Sequence, residues 1–125
     1  MTTRVMHEWG VDVERGPDWL FVRLHPPAVA GVPSMALAED IWSTIQQHMV
    51  HRLVLEMDDV PLLSSHLLGQ LLMLHKRIHE AGGIMRLCGL NEQNEQVLRI
   101  ARLDSRLPHY GHREEAVRGY PTQPR

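Results

Sequence analysis

A chain of 125 residues with 43% apolar side chains and a net charge of −2 can bury one domain core, and it lacks the basic excess that nucleic acid or an anionic membrane would attract. Its single cysteine, Cys88, excludes an internal disulfide framework and suits a reducing compartment, with a buried apolar role expected for the thiol. No apolar run approaches the roughly twenty residues of a membrane span, MTTRVMHEWG has no signal-peptide core, and scarce aromatics leave no stacking platform for bases, so a cytoplasmic protein is expected.

In chain order, residues 1–10 are expected to be an N-terminal extension, frayed over 1–8. VDVER and WLFVRL flank the turn signal at Gly16, Pro17 and Asp18, so 11–24 reads as a hairpin. Three prolines make 25–33 a loop, and Ser34 is placed to cap a helix with the stripe Met35, Ala38, Ile41, Trp42, Ile45 and Met49. RLVLEM at 52–57 is a short apolar run, as a buried strand reads. Leu67, Leu68, Leu71, Leu72, Leu74 and Ile78 then recur at spacings of three and four, predicting a helix over 66–81 that Gly82 and Gly83 stop. IMRLCGL supplies the next strand, over 84–89. Asn91 caps a further helix with the stripe Val97, Leu98, Ile100, Ala101 and Leu103. LPHY reads as a short edge strand, REEAVRG as a final helix, and 119–125 as a flexible tail. The order β-β-α-β-α-β-α-β-α predicts one α/β domain over 11–118, a mixed, mostly parallel sheet of four to five strands with about four helices.

Chemistry is sparse. His75 and His79 share a helix face, but HKRIH lacks the glutamate of HExxH and places Lys76 and Arg77 beside the pair, so a solvated polar face is expected and no metal. His109 and His112 receive no metal role. Asp58 and Asp59 at a strand end fit a solvated turn better than a metal or phosphate site. Ser64 and Ser65 sit where a loop enters a helix, the place of an N-cap and of a favourable site for negative charge. A hydrolase elbow would need small neighbours, whereas Leu63 and Leu67 flank these serines, so a small serine hydrolase is the least favoured reading and no catalytic residue is assigned. Glycine-rich phosphate loops are absent, and no cofactor is expected.

The stretch from LVLEMDD through LSSHLLG to IARLD, residues 53–104, resembles the STAS domain of bacterial anti-sigma-factor antagonists, and the likeness extends over about 11–118. The family pattern is a strand ending in Asp-Leu-Ser, a DSSGLG motif, a helix ending in Gly-Gly, a strand, and a helix ending near Leu-Asp. Aligning Leu68 and Gly69 with the motif's Leu-Gly sets Ser65 on the phosphorylated serine. Ser64 falls on the motif's aspartate, His66 on its second serine, Leu67 on its first glycine, and Glu56 on the strand's aspartate.

The resemblance implies a non-enzymatic binding module in partner-switching control of transcription. Its partners would be an anti-sigma factor that is a serine kinase of the small ATP-binding type, and a phosphatase that resets the switch. Ser65 is then the expected phosphoacceptor, with Ser64 the runner-up, and Asp58, Asp59, Leu62, Leu63, Ser64, His66, Leu67 and Gln70 the expected partner surface. A STAS interaction module that is never phosphorylated remains the alternative.

Overall fold

The computed structural model describes residues 2–6, 9–27 and 36–119. Among the described residues six strands form one sheet in sequence order: β1 (Thr2–Met6), β2 (Trp9–Arg15), β3 (Leu20–His25), β4 (Arg52–Glu56), β5 (Ile84–Cys88) and β6 (His109–Tyr110). β1, β2 and β3 pair antiparallel, and β3 to β6 pair parallel. The helices are α1 (Leu37–His48), α2 (Ser65–Glu80), α3 (Glu92–Ile100) and α4 (Arg113–Arg118). The expected α/β order is present, with one strand added at the front.

The strand patterns follow from what covers each face. On β2 and β3, Trp9, Val11, Val13, Leu20, Val22 and Leu24 are buried and alternate with half-buried Asp12, Glu14, Phe21, Arg23 and His25. β4 is covered on both sides, so Leu53, Val54, Leu55 and Glu56 are all buried. The larger core joins the inward residues of β2 to β5 with Leu37, Ile41 and Ile45 of α1, Leu67, Leu71, Leu74 and Ile78 of α2, and Leu98 of α3. A smaller cluster of Trp19, Val54, Cys88 and Ala116 lies on the opposite face, beneath α4. Leu68 and Leu72 sit half-buried at the margin of the large core.

Several local expectations are corrected. Residues expected to fray include Thr2–Met6, which pair with β2. TTRVM has neither alternation nor an apolar run, and it is the free edge of β2 that supplies its backbone partners. Ser34 and Met35 lie outside the described residues. The first turn of α1 is instead met by Gln70, whose Oε1 accepts from Ala38 N at 2.8 Å. Met49 was expected in the buried stripe of α1, yet at φ 56° it ends the helix in a left-handed turn and is 82% exposed. Likewise α3 ends at Ile100, which is exposed with Ala101. Arg102, at φ 60°, turns the chain so that Leu103 N reaches Leu98 O at 2.8 Å rather than extending the stripe. Gly82 and Gly83 do stop α2: Gly82 has φ +79°, its N–H bonds His79 O at 2.9 Å, and Gly83 N bonds Ile78 O at 2.8 Å, the paired bonds of a Schellman turn. The tail expected at 119–125 lies outside the described residues beyond Gly119. Among the described residues no helix is long and apolar enough to cross a membrane.

Candidate functional site

The link from β4 to α2 leaves the carboxyl end of the parallel strands, where open α/β sheets commonly place their sites. Met57 N donates to Cys88 O at 2.8 Å, and Val60 N to Met57 O at 3.0 Å, closing a tight turn through Asp58 and Asp59. Val60 and Leu63 then plug into the core at 2% and 3% exposure. Ser64 is extended (φ −71°, ψ 164°) and its Oγ accepts from Leu67 N at 3.2 Å, so Ser64 is the N-cap of α2. Ser65 is the first helical residue and is exposed. The helix therefore begins one residue earlier than its periodicity predicts.

Two asparagines hold this loop from α3. Asn94 is fully buried; its Nδ2 donates to Val60 O at 2.9 Å and its Oδ1 accepts from Leu63 N at 2.8 Å. Asn91 caps α3 by accepting from Asn94 N at 2.7 Å, and its Nδ2 donates to Pro61 O at 3.2 Å. The sequence shows Asn91 as a cap, but nothing in it signals that Asn94 faces a loop 31 to 34 positions upstream.

On the other side, charged groups of β3 meet the turn. Arg23 lies 3.7 Å from both Asp58 and Asp59, and His25 lies 3.1 Å from Asp59 and 2.7 Å from Asp12. Glu56, on the family aspartate's place, is 3% exposed, and its carboxylate accepts from Arg23 Nε at 3.1 Å and Arg113 Nε at 2.6 Å. A buried carboxylate needs such partners. The Glu56 hydrogen bond is the main cause that raises the Arg113 pKa, outweighing burial, and the Arg113 guanidinium also stacks 4.2 Å above the Phe21 ring. Asp58 and Asp59 are thus ion-paired turn residues, each with its side chain near half exposure.

The expected partner surface divides. Ser64, Ser65, His66 and Leu62 are exposed around the helix start, Leu62 at 56%. Leu63 and Leu67, expected on the same surface, have their side chains in the core instead, at 3% and 1% exposure. Gln70 is half-buried and its Oε1 is committed to α1. Met73, 53% exposed two turns along α2, is an apolar surface residue that its polar-side position in the helical period conceals. Among the described residues α2 alone has no acidic side chain in its first turn, while α1, α3 and α4 have two each. Its positive end is left without a carboxylate of its own.

His75 and His79 stack with ring centroids 6.2 Å apart, and burial, then the charges of His79 and Arg106, lower the His75 pKa. Among the described residues no group of three or more metal-ligating side chains gathers. The hydroxyl of Ser64 is engaged by the backbone, accepting from Leu67 N at 3.2 Å.

The STAS domain family model matches residues 11–116. The chain belongs to the STAS domain family. No curated protein sequence matches it. The STAS fold is shared with the protein TM1081 of Thermotoga maritima (TM-score 0.73, 21% identity, 85% of this chain and 84% of that one). It is shared as well with an anti-sigma factor antagonist from Mycobacterium paratuberculosis (0.73, 18%, 89% and 92%). The Bacillus cell fate determinant SpoIIAA in its phosphorylated form is a third (0.63, 15%, 87% and 97%). SpoIIAA is also known in an unphosphorylated form. This STAS domain therefore resembles anti-sigma factor antagonists in architecture.

Proposed function

We propose that this STAS domain is an anti-sigma factor antagonist whose binding is switched by phosphorylation of Ser65. The partner would be an anti-sigma factor that is itself a serine kinase of the small ATP-binding type, met in the cytoplasm, and a phosphatase would restore the binding form. The observation that carries the reading is the division of labour between the two serines. Ser64 Oγ is occupied as the α2 cap, whereas Ser65 stands exposed one residue on. The kinase supplies ATP and its metal; this chain supplies the acceptor hydroxyl and the surrounding surface.

A phosphate on Ser65 adds about −1.5 to −2 charges beside the free N–H groups of a helix start that has no acidic side chain of its own. Within the domain that charge is favourable. Toward a partner it stands beside exposed Leu62 and changes a mixed apolar contact into a charged one, which favours release. The test is intact-mass measurement after incubation with ATP and candidate anti-sigma kinases. A gain of one phosphate supports the switch. No gain, with tight binding of the anti-sigma factor, assigns the domain to the constitutive interaction modules instead.

A further inference from the structure

Asn94 occupies a position that packing alone would give to an apolar residue. It is fully buried and lies one turn before Leu98 on the inward stripe of α3. A buried carboxamide is costly without partners, and Asn94 finds both of its side-chain partners in the serine-bearing loop, at Val60 O (2.9 Å) and Leu63 N (2.8 Å). Asn91 adds a third tie at Pro61 O. Val60 O, Pro61 O and Leu63 N are thus answered from the start of α3, immediately before the cap Ser64.

We propose that Asn94 is the positioning residue of the serine junction: it holds Val60 to Leu63 in the one conformation that a partner reads, so docking on Leu62 and Ser65 does not first have to order the loop. The inference rests on reading that junction as the partner surface. Asn94 is too buried to touch a partner, and it acts by removing a loop-ordering cost from association. Phosphate at Ser65 then works on a preformed surface, through its charge, rather than by rearranging the loop.

The test compares wild type with Asn94→Leu, which removes both ties at similar volume. A second variant, Asn94→Asp, keeps the acceptor for Leu63 and lacks the donor for Val60 while its carboxylate is ionised. Each is first shown to be folded by circular dichroism. Amide exchange at Val60 is the local readout, because its own bond, to Met57 O, is untouched by either substitution. In Asn94→Leu, Val60 exchanges about tenfold faster or more, while Leu71 in the core of α2 stays protected as in wild type. Binding of a purified anti-sigma factor of the ATP-binding kinase type, by isothermal titration calorimetry, weakens about tenfold. In Asn94→Asp at pH 7.5 the ionised carboxylate opposes Val60 O, and Val60 exchanges faster than in wild type. After correction for intrinsic exchange Val60 slows toward wild type as the pH falls and the protonated carboxyl again donates to Val60 O.

Wild-type exchange at Val60 in Asn94→Leu, or unchanged affinity beside faster exchange, overturns the positioning role. A wild-type chain that binds no such anti-sigma factor overturns the proposed function, and the Val60 comparison then decides by itself whether Asn94 sets the loop.

Discussion

Arg113 Nε lies 2.6 Å from Glu56 Oε2, across 57 positions of the chain. The contact ties the final helix α4 to the end of β4, and the same guanidinium reaches Glu14 of β2 at 3.1 Å. Removing it leaves a nearly buried carboxylate with Arg23 alone. Arg113→Ala is expected to cost roughly 1–3 kcal/mol in urea denaturation, as loss of a hydrogen bond to a buried charge does. A loss below a few tenths of a kilocalorie would show that α4 is held by its apolar contacts alone.

The serine variants separate cap from acceptor. Ser64→Ala removes the bond to Leu67 N and should cost about 1 kcal/mol of stability. Ser65→Ala, at an exposed first helical position, should be close to neutral. Thermal unfolding of the two variants side by side checks the order, and the reverse order would move the cap, and with it the assignment of the acceptor.

Leu71 is 1% exposed in the contact between α2 and the sheet, so Leu71→Ala should cost roughly 2–5 kcal/mol by chemical denaturation. A cost under half a kilocalorie would mean that the buried face of α2 is wrongly drawn.

Burial, then the charges of Glu56 and Asp58, push the Cys88 thiol up to about 12. The unfolded thiol, near 9, loses its proton first as pH rises. The folded state then holds more protons, so the contribution of Cys88 to stability is complete below pH 9 and is lost between 9 and 12. Wild type should lose more stability than Cys88→Ala between pH 7.5 and pH 10, measured by urea midpoints. Native Cys88 should also resist iodoacetamide at pH 8 and react once unfolded. Equal losses in the two proteins, or fast native labelling, would contradict the buried neutral thiol.

Much of the architecture is legible in the sequence because single periodicities decide it. The alternation of VDVER, the two apolar runs of β4 and β5, and the 67-71-74-78 stripe each mark an element that the structure buries, although β2 starts at Trp9, two residues before the expected hairpin. That stripe also places Leu67 inside; it was the motif correspondence that set Leu67 on the surface, where the structure does not. What was hidden depends on partners distant in the chain. Asn94 reads as a polar residue near a helix start until the loop at 60–63 arrives beside it, and Arg113 reads as an exposed charge until Glu56 is buried next to it. β1 is drawn into the sheet by the edge of β2, and Gln70 meets α1 through tertiary packing; neither leaves a local signal.

The central claim is that Ser65 accepts a phosphate that releases a partner while Ser64 keeps the helix capped. The most direct measurement is phosphopeptide mapping of wild type, Ser64→Ala and Ser65→Ala after reaction with an anti-sigma kinase and ATP, with the affinity of each product for that kinase read in parallel. The account predicts phosphate on Ser65 in wild type and in Ser64→Ala, none in Ser65→Ala, and weaker binding only where phosphate is present. Phosphate that persists on Ser64 in Ser65→Ala, or phosphorylated wild type that binds as tightly as the unmodified chain, would contradict it.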